Sequence, residues 1–283
     1  SNELASIKQS IVWRLLMKFH DGFVERFLPL STRRRRFYDF GLSGCRHLLN
    51  EGPLKAWSTF VQSYISRIDC TKPCEIICNS PVPFQELNNF KELPRIAIIV
   101  VTYNSANFVK SALDSVLRLD YPLSLLELIV VDNNSTDNIE QIIHDFNQAN
   151  AGKIAIKFIR NKKNYGFGKG NNIGASHASA DVQYLLLLNP DCQLYEDTLG
   201  RLISSALSSV DRRFRLWECR QLPYEHPKHY NPVTLETTWS SAACCLIERA
   251  AFEEIRGFDE NIFLYLEDVD LSWRLRMAGY RLM

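Results

Sequence analysis

From residue 95 onward the chain alternates between two hydrophobic rhythms. Short runs almost without a polar interruption, such as Ile98-Ile99-Val100-Val101 and Leu185-Leu186-Leu187-Leu188, suit strands buried on both faces of a parallel sheet. The stretches between them repeat their apolar positions at helical spacing. Together they predict strands at 96–102, 126–132, 154–160 and 182–189, and helices at 106–117, 138–147, 169–178 and 196–207. A further apolar stretch at 239–247, containing Cys244 and Cys245, predicts one more buried strand. Strand and helix in alternation give an α/β fold with a doubly wound, mostly parallel sheet of the nucleotide-binding kind.

The first part of the chain has a different rhythm. Val12, Leu15, Leu16, Phe19, Phe23 and Phe27 recur at helical spacing, and Pro29 ends that run. Arg33-Arg34-Arg35-Arg36 follows, then a second helical run through Phe40, Leu42, Leu48, Leu49 and Leu54 to Ile65. Between 69 and 94 the periodicity disappears and Pro73, Pro81, Pro83 and Pro94 interrupt the chain. Residues 1–68 are therefore expected as a helical N-terminal segment, 69–94 as a linker and 95–283 as the α/β domain.

Composition narrows the classes. With 46% hydrophobic and 23% charged residues the chain is globular, and its 33 basic against 32 acidic side chains set up no field that draws it to nucleic acid. No uncharged apolar run reaches the ~18 residues of a membrane span, and no cleavable leader pattern opens the sequence. A cytoplasmic location is the default expectation. A basic amphipathic helix at the N-terminus also suits peripheral contact with the inner face of a membrane, although helices docked on a neighbouring domain with solvated arginines fit the same pattern. Cys70, Cys74 and Cys78 do not have the spacing of a zinc knuckle, so the eight cysteines are read as reduced thiols.

In a doubly wound sheet, ligands bind outside the carboxyl ends of the strands. Here those ends are polar: Thr102-Tyr103-Asn104, Asp132-Asn133-Asn134-Ser135 and Asn189-Pro190-Asp191, with the glycine-rich turn Asn164-Tyr165-Gly166-Phe167-Gly168-Lys169-Gly170 after the third strand. A dinucleotide-binding fold needs its glycine fingerprint after the first strand, where this chain has Thr-Tyr-Asn. A P-loop needs a hydroxyl residue after its lysine, where this chain has Gly170. Sugar nucleotidyltransferases also carry glycines after the first strand, so all three are excluded.

The ordered runs IIVVTYNS, IVVDNNSTD, NYGFGKGNN, LLLNPD and GFDENIFLYLEDVDLSWRLRMAGY resemble the family 2 glycosyltransferases with the GT-A fold, especially their rhamnosyltransferase-like bacterial branch. The resemblance covers roughly residues 95–283. It implies an inverting enzyme that moves a sugar from a nucleotide-diphosphate donor to a glycan or lipid-linked glycan acceptor in surface polysaccharide biosynthesis. It also implies a divalent metal, Mg²⁺ or Mn²⁺, held on the donor's phosphates by one or two carboxylates. Asp191 matches the metal-binding position, although Asn189-Pro190-Asp191 keeps only the last acid of the family's DxD motif. A helix-capping aspartate is the plain alternative for it.

By the same resemblance Asp132, with Thr102, Asn104, Asn133 and Asn164, lines the nucleotide pocket, and Gly166, Gly168 and Gly170 let the backbone approach the nucleotide. A turn-forming Asp132 and an ordinary glycine connection would look alike in sequence. Ser135 and Asp137 are expected as caps. Asp268 matches the general base that takes the acceptor's proton, with Glu267 touching the acceptor or orienting the base. Asp270 and Arg274, four apart, are expected to pair on one helix face, and Trp273 to pack in the core rather than line the acceptor site. The family continues beyond the point where this sequence stops, so an incomplete C-terminal side and neighbouring domains of a longer chain are expected. A non-catalytic glycan-binding or scaffolding module is the competing reading, and the joint presence of Asp132, Asp191, Glu267 and Asp268 argues against it.

Overall fold

The computed structural model describes residues 74–77, 92–223 and 228–283. The helices expected within 4–68, the arginine run at 33–36 and most of the expected linker lie outside the described residues. In chain order the elements begin with β1 (Cys74–Ile77), β2 (Arg95–Thr102), α1 (Ala106–Val116), β3 (Leu126–Asp132), α2 (Ile139–Ala149), β4 (Ala155–Arg160), α3 (Phe167–Ser176) and β5 (Val182–Leu188). They continue with β6 (Cys192–Leu194), α4 (Thr198–Ser208), β7 (Phe214–Glu218), β8 (Arg220–Leu222), β9 (Cys244–Glu248), α5 (Arg249–Glu254), α6 (Glu267–Met277) and β10 (Arg281–Leu282). Every strand and helix expected between 95 and 207 is present, with small shifts at the ends. The stretch read as a linker contributes β1, which joins β6 and β8 in a small second sheet.

The main sheet has seven strands in the order β10-β7-β9-β5-β2-β3-β4, and β9 alone runs against the others. Its central strands are apolar because helices cover both faces. Ile96, Ile98 and Val100 of β2 pack with Val109, Leu113 and Val116 of α1, with Ile143 of α2 and with Leu202 of α4. The alternate residues Ala97, Ile99 and Val101 pack on the other face with Phe252 of α5 and with Leu271 and Leu275 of α6. Helix α3 lies close on that face: a Cβ at Gly174 would come within 2.5 Å of Ile99 Cγ2, and one at Gly170 within 2.6 Å of Val101 Cγ1. Among the described residues no helix is long and apolar enough to cross a membrane.

Two features position the site. The chain steps outward from β2 to β3 to β4 and then returns to place β5 on the other side of β2, which opens a crevice at the carboxyl ends of β2 and β5. Antiparallel β9 then brings the residues before Cys244 to that same edge, with Leu188 paired to Cys244.

Glu127 fastens the opposite, amino-terminal side. Buried at 1% exposure, it accepts hydrogen bonds from the backbone N–H and hydroxyl of Ser179 (2.7 and 2.6 Å) and from Lys157 (3.1 Å). Burial alone would push its pKa up, yet the bonds from Ser179 and Lys157 outweigh it and hold the carboxyl below its ordinary value of 4.5. A depressed carboxylate contributes stability that is present above its unfolded value and is lost as pH falls through the folded one. Glu127→Gln is therefore expected to cost about 2 kcal/mol at neutral pH and to flatten the loss of stability below pH 4.5. Urea unfolding at several pH values checks this, and a variant with the wild-type pH profile would refute it.

Candidate active site

The register of the central strands sets the expected acids level with one another. Thr102 pairs with Asp132 across β2 and β3, and Ile99 pairs with Leu187 across β2 and β5. Three residues beyond that second pair lie Thr102 on one strand and Pro190 on the other. Asn189-Pro190-Asp191 thus stands at the same height as Asp132, two strand spacings or about 10 Å across the edge.

Asp132 is 1% exposed and already engaged. Its carboxylate accepts from the Ser135 N–H (3.1 Å), from the Ser135 hydroxyl and from Thr102 Oγ1 (3.3 Å), with Arg160 Nε at 3.9 Å. The turn-forming alternative is thus realised, and Asp132 shapes the loop at 133–136 from beneath. Ser135, expected as a cap, is the residue that locks it. Asp137 does cap: its Oδ2 accepts from Ala106 N–H at the start of α1 (2.8 Å). Asn104 is exposed, and its Oδ1 accepts from Thr136 N–H (2.9 Å).

Asn133 is also engaged within the protein. Its Nδ2 donates to Gly166 O (2.9 Å), and its Oδ1 accepts from Asn161 Nδ2 (2.9 Å), which pins the glycine-rich turn to the end of β3. Asn164 Oδ1 accepts from Gly166 N–H (2.9 Å) in the same turn. The glycines of the turn pack against protein on the side a Cβ would occupy. Only Gly166 has a left-handed φ, at 86°, and what approaches it is protein: a Cβ there would lie 2.1 Å from Phe263 O. At Gly168 a Cβ would meet Phe258 at 3.0 Å. Their smallness seats the loop before α6 on the turn.

Asp191 is exposed, and it is not a helix cap: Asp197 precedes α4, with β6 in between. Beside it Asn189 has a buried Oδ1 with no hydrogen-bond partner. Among the described residues no cluster of three or more His, Cys, Asp or Glu side chains could hold a metal. A lone exposed carboxylate next to an unsatisfied amide oxygen is nevertheless a donor set that suits Mg²⁺ or Mn²⁺ completed by phosphates and water.

On the other side, Glu267 and Asp268 open α6. Glu267 is 6% exposed, and its Oε2 has no partner; burial first, and the Asp268 charge second, raise its pKa above the ordinary value. Asp268 is half-buried, with Oδ1 accepting from Val269 N–H (2.8 Å). The two residues before them, Tyr265 and Leu266, hold φ at 65° and 72°, a left-handed backbone that costs bulky side chains about 1–3 kcal/mol each. Asp270 and Arg274 pair as expected, at 2.7 Å, and Arg274 also ties down the Gly257 carbonyl (2.6 Å). Trp273 departs from expectation: it is 60% exposed because it lies opposite the face that Leu271 and Leu275 bury.

Residues 240–243 link the two acidic ends. Asn189 N–H donates to Ala243 O (2.8 Å), Ser240 N–H donates to Ser272 Oγ (3.0 Å), and Ser272 Oγ donates to Asp268 O (2.7 Å). Cys245 lies just beyond: burial pushes its thiol up first, followed by the charges of Cys244, Glu218 and Asp268. Sequence reading missed this bridge, since serines near a strand carry no rhythm. It also missed Asn161, although the polar residue ending the third strand was signal enough.

A family model described as Glycosyl transferase family 2 matches residues 97–256. The chain is 52% identical over 229 residues to N-acetylglucosaminyl-diphospho-decaprenol L-rhamnosyltransferase of Mycobacterium tuberculosis, covering 65% of this chain and 71% of that protein. It is 26% identical over 219 residues to Rhamnosyltransferase WbbL of Escherichia coli, covering 66% and 79%. Among solved structures, mannosyltransferase PcManGT from Pyrobaculum calidifontis in complex with GDP-Man and Mn²⁺ superposes with a TM-score of 0.57 at 20% identity, covering 73% of this chain and 56% of that one. S. aureus TarS 1-349 in complex with UDP gives 0.53 at 20% identity, covering 67% and 57%. These solved structures share the fold, and the chain spans little more than half their length.

The close seat of residue 263 on the glycine turn gives a sharp test. Gly166→Ala combines a left-handed φ with a clash against backbone, so a loss of about 2 kcal/mol or more is expected in thermal or denaturant unfolding. Faster proteolytic nicking within 258–266 should accompany it. An unchanged melting point would show that the loop does not depend on this contact.

Proposed function

Because the chain belongs to glycosyl transferase family 2, and is thus a glycosyltransferase built on the GT-A fold, we propose that it transfers a sugar with inversion from a nucleoside-diphosphate donor to a hydroxyl of a lipid-linked glycan at the inner face of a membrane. The observation that carries this reading is the four-residue bridge at 240–243, which holds the Asp191 side and the Asp268 side of one crevice in fixed relation. The relative at 52% identity, named as an L-rhamnosyltransferase for N-acetylglucosaminyl-diphospho-decaprenol, supports a lipid-linked acceptor.

In this proposal the nucleotide lies over the ends of β2 and β3. Thr102, Asp132 and Asn133 shape its pocket from below, and Asn104 and Asn164 stand at its rim. Asp191, with Asn189 Oδ1 near it in the chain, would hold a divalent metal. A bound Mg²⁺ or Mn²⁺ supplies positive charge where the departing diphosphate gains negative charge. Asp268 accepts the proton of the acceptor hydroxyl as that oxygen attacks the anomeric carbon from the face opposite the diphosphate. A new C–O bond forms, the bond to the diphosphate breaks, and the proton ends on the Asp268 carboxylate. Glu267, kept from water, orients the acceptor.

Asp191→Ala should abolish the Mn²⁺-dependent stabilisation by nucleoside diphosphates, an effect of about 2.7 kcal/mol at a ligand concentration of 100 Kd. Asp268→Asn should leave that stabilisation intact and lower turnover about 10²- to 10⁴-fold. Thermal shift with and without Mn²⁺, paired with donor turnover, reads both. A wild-type chain that binds no nucleoside diphosphate would favour a module that holds glycan without transferring it.

Glu267 gives the opposite sign to Glu127. An acid with a raised folded pKa binds its proton more tightly in the fold, so its contribution is most favourable below its ordinary value of 4.5 and declines as pH rises toward the folded value. Glu267→Gln is expected to raise the melting temperature at pH 7, to give no gain below pH 4.5, and to reduce turnover. A variant less stable than wild type at pH 7 would contradict this account of Glu267.

A further inference from the structure

Helix α6 has two apolar faces, and only one of them is packed. Leu271 and Leu275 are buried against the sheet. On the other side Leu266, Trp273 and Met277 are 69%, 60% and 86% exposed. Trp273 and Met277, four apart, share one face of the helix, and Leu266 is its left-handed N-cap, with Asp270 of the Asp270–Arg274 pair between it and Trp273. Leu264 and Tyr265, also exposed, lie in the loop before the helix. A surface helix ordinarily turns charged residues outward, and several large apolar side chains exposed near one another call for a partner where a single exposed residue does not.

The backbone adds a second, independent observation. Tyr265 and Leu266 sit in the left-handed region at φ 65° and 72°, and the result of that strain is to aim two large side chains at solvent. No burial offsets it within the described residues. The strained segment is itself held fast, since Phe263 O accepts from Phe167 N–H at 3.1 Å.

We propose that this apolar patch rests on the lipid bilayer that carries the acceptor, so that the acceptor's head group reaches Asp268 while its tail stays in the membrane. The inference rests on the reading of the acceptor as lipid-linked. Three features favour a bilayer over another occupant. The patch follows the outside of a helix, a convex surface suited to a deformable partner. Its composition is amphipathic, with Trp273 and Tyr265 of the type that settles at a membrane interface, and the exposed Arg276 beside Trp273 and Met277 complements anionic head groups. It is also continuous with the site: Leu266 immediately precedes Glu267, and Asp268 belongs to the first turn of the same helix.

Flotation of the whole chain with vesicles of phosphatidylcholine and phosphatidylglycerol tests the idea. Wild type is expected to float, and Trp273→Ser/Met277→Gln to lose vesicle binding about tenfold. Leu266→Asn should also weaken it, and this change relieves strain, because asparagine accepts the left-handed backbone. Stabilisation by nucleoside diphosphate with Mn²⁺ should be unaltered in both variants. Equal flotation of wild type and variants would overturn the proposal. So would a wild-type dimer in solution that the double variant converts to monomer, which would assign the patch to a second copy. A chain that floats by this surface yet binds no nucleoside diphosphate would sink the transferase reading and leave the lipid surface standing.

Discussion

The hydrogen bond from Asn189 N–H to Ala243 O, 2.8 Å long, joins the end of a parallel strand to the beginning of the main sheet's antiparallel strand, and the geometry of the crevice follows from it. Parallel sheets put their loops at one edge but leave each loop to find its own height. By running β9 against β5, the chain brings residues 240–243 to that edge and closes the distance to α6 through Ser240 and Ser272. Two acids 77 residues apart, Asp191 and Asp268, are thus tied to a single short piece of backbone. The relation between them depends on main-chain and hydroxyl bonds, which leave both carboxylates available for chemistry.

That arrangement concentrates cost at the site and stability elsewhere. Glu267 Oε2 and Asn189 Oδ1 are buried without partners, and Tyr265 and Leu266 carry left-handed backbones. Such features persist only where the surroundings over-determine them. Here the surroundings are the two apolar layers on the sheet, the Arg274 bonds to Ile255 O and Gly257 O, and an ion pair between Glu218 and Lys228 with side chains 3% and 0% exposed and contacts of 2.6 Å. Lys228 also lies 3.9 Å from the Trp239 ring. Removing one member of such a pair strands a buried charge at a cost of about 3–5 kcal/mol. The pair therefore anchors residue 228 at the end of β7, and with it the start of the segment that leads to the bridge.

How much of this was legible depended on whether a residue's role had a rhythm. The central strands announced themselves because burial on both faces demands unbroken apolar runs, and the strand-end rule then picked out Thr102, Asp132 and Asp191 from position alone. Strands β7, β8 and β10 are short and mixed in polarity, so nothing marked them. The glycine-rich turn was legible as a place where backbones come close, but sequence cannot say what comes close; the partner is Phe263, 97 residues on from Gly166. Trp273 was misjudged for a related reason. Alternation of apolar residues around α6 signals two faces, and the pattern does not say which of them the protein covers.

The charges at the crevice argue for an order of events. Asp132 is engaged in place by hydrogen bonds, with Arg160 Nε at 3.9 Å, whereas among the described residues neither Asp191 nor Asp268 forms an ion pair. A diphosphate brought within 4 Å of an unpaired carboxylate meets a repulsion of roughly 4 kcal/mol at an effective dielectric constant near 20. A donor arriving without a cation would face that repulsion, and a cation arriving without a donor would find one carboxylate and one amide oxygen. In the proposed reaction each would bind weakly by itself, and each would remove the obstacle to the other. In that reaction the acids of this edge would therefore favour capture of donor and metal together, with Asp268 on the far side of the bridge for the hydroxyl that follows.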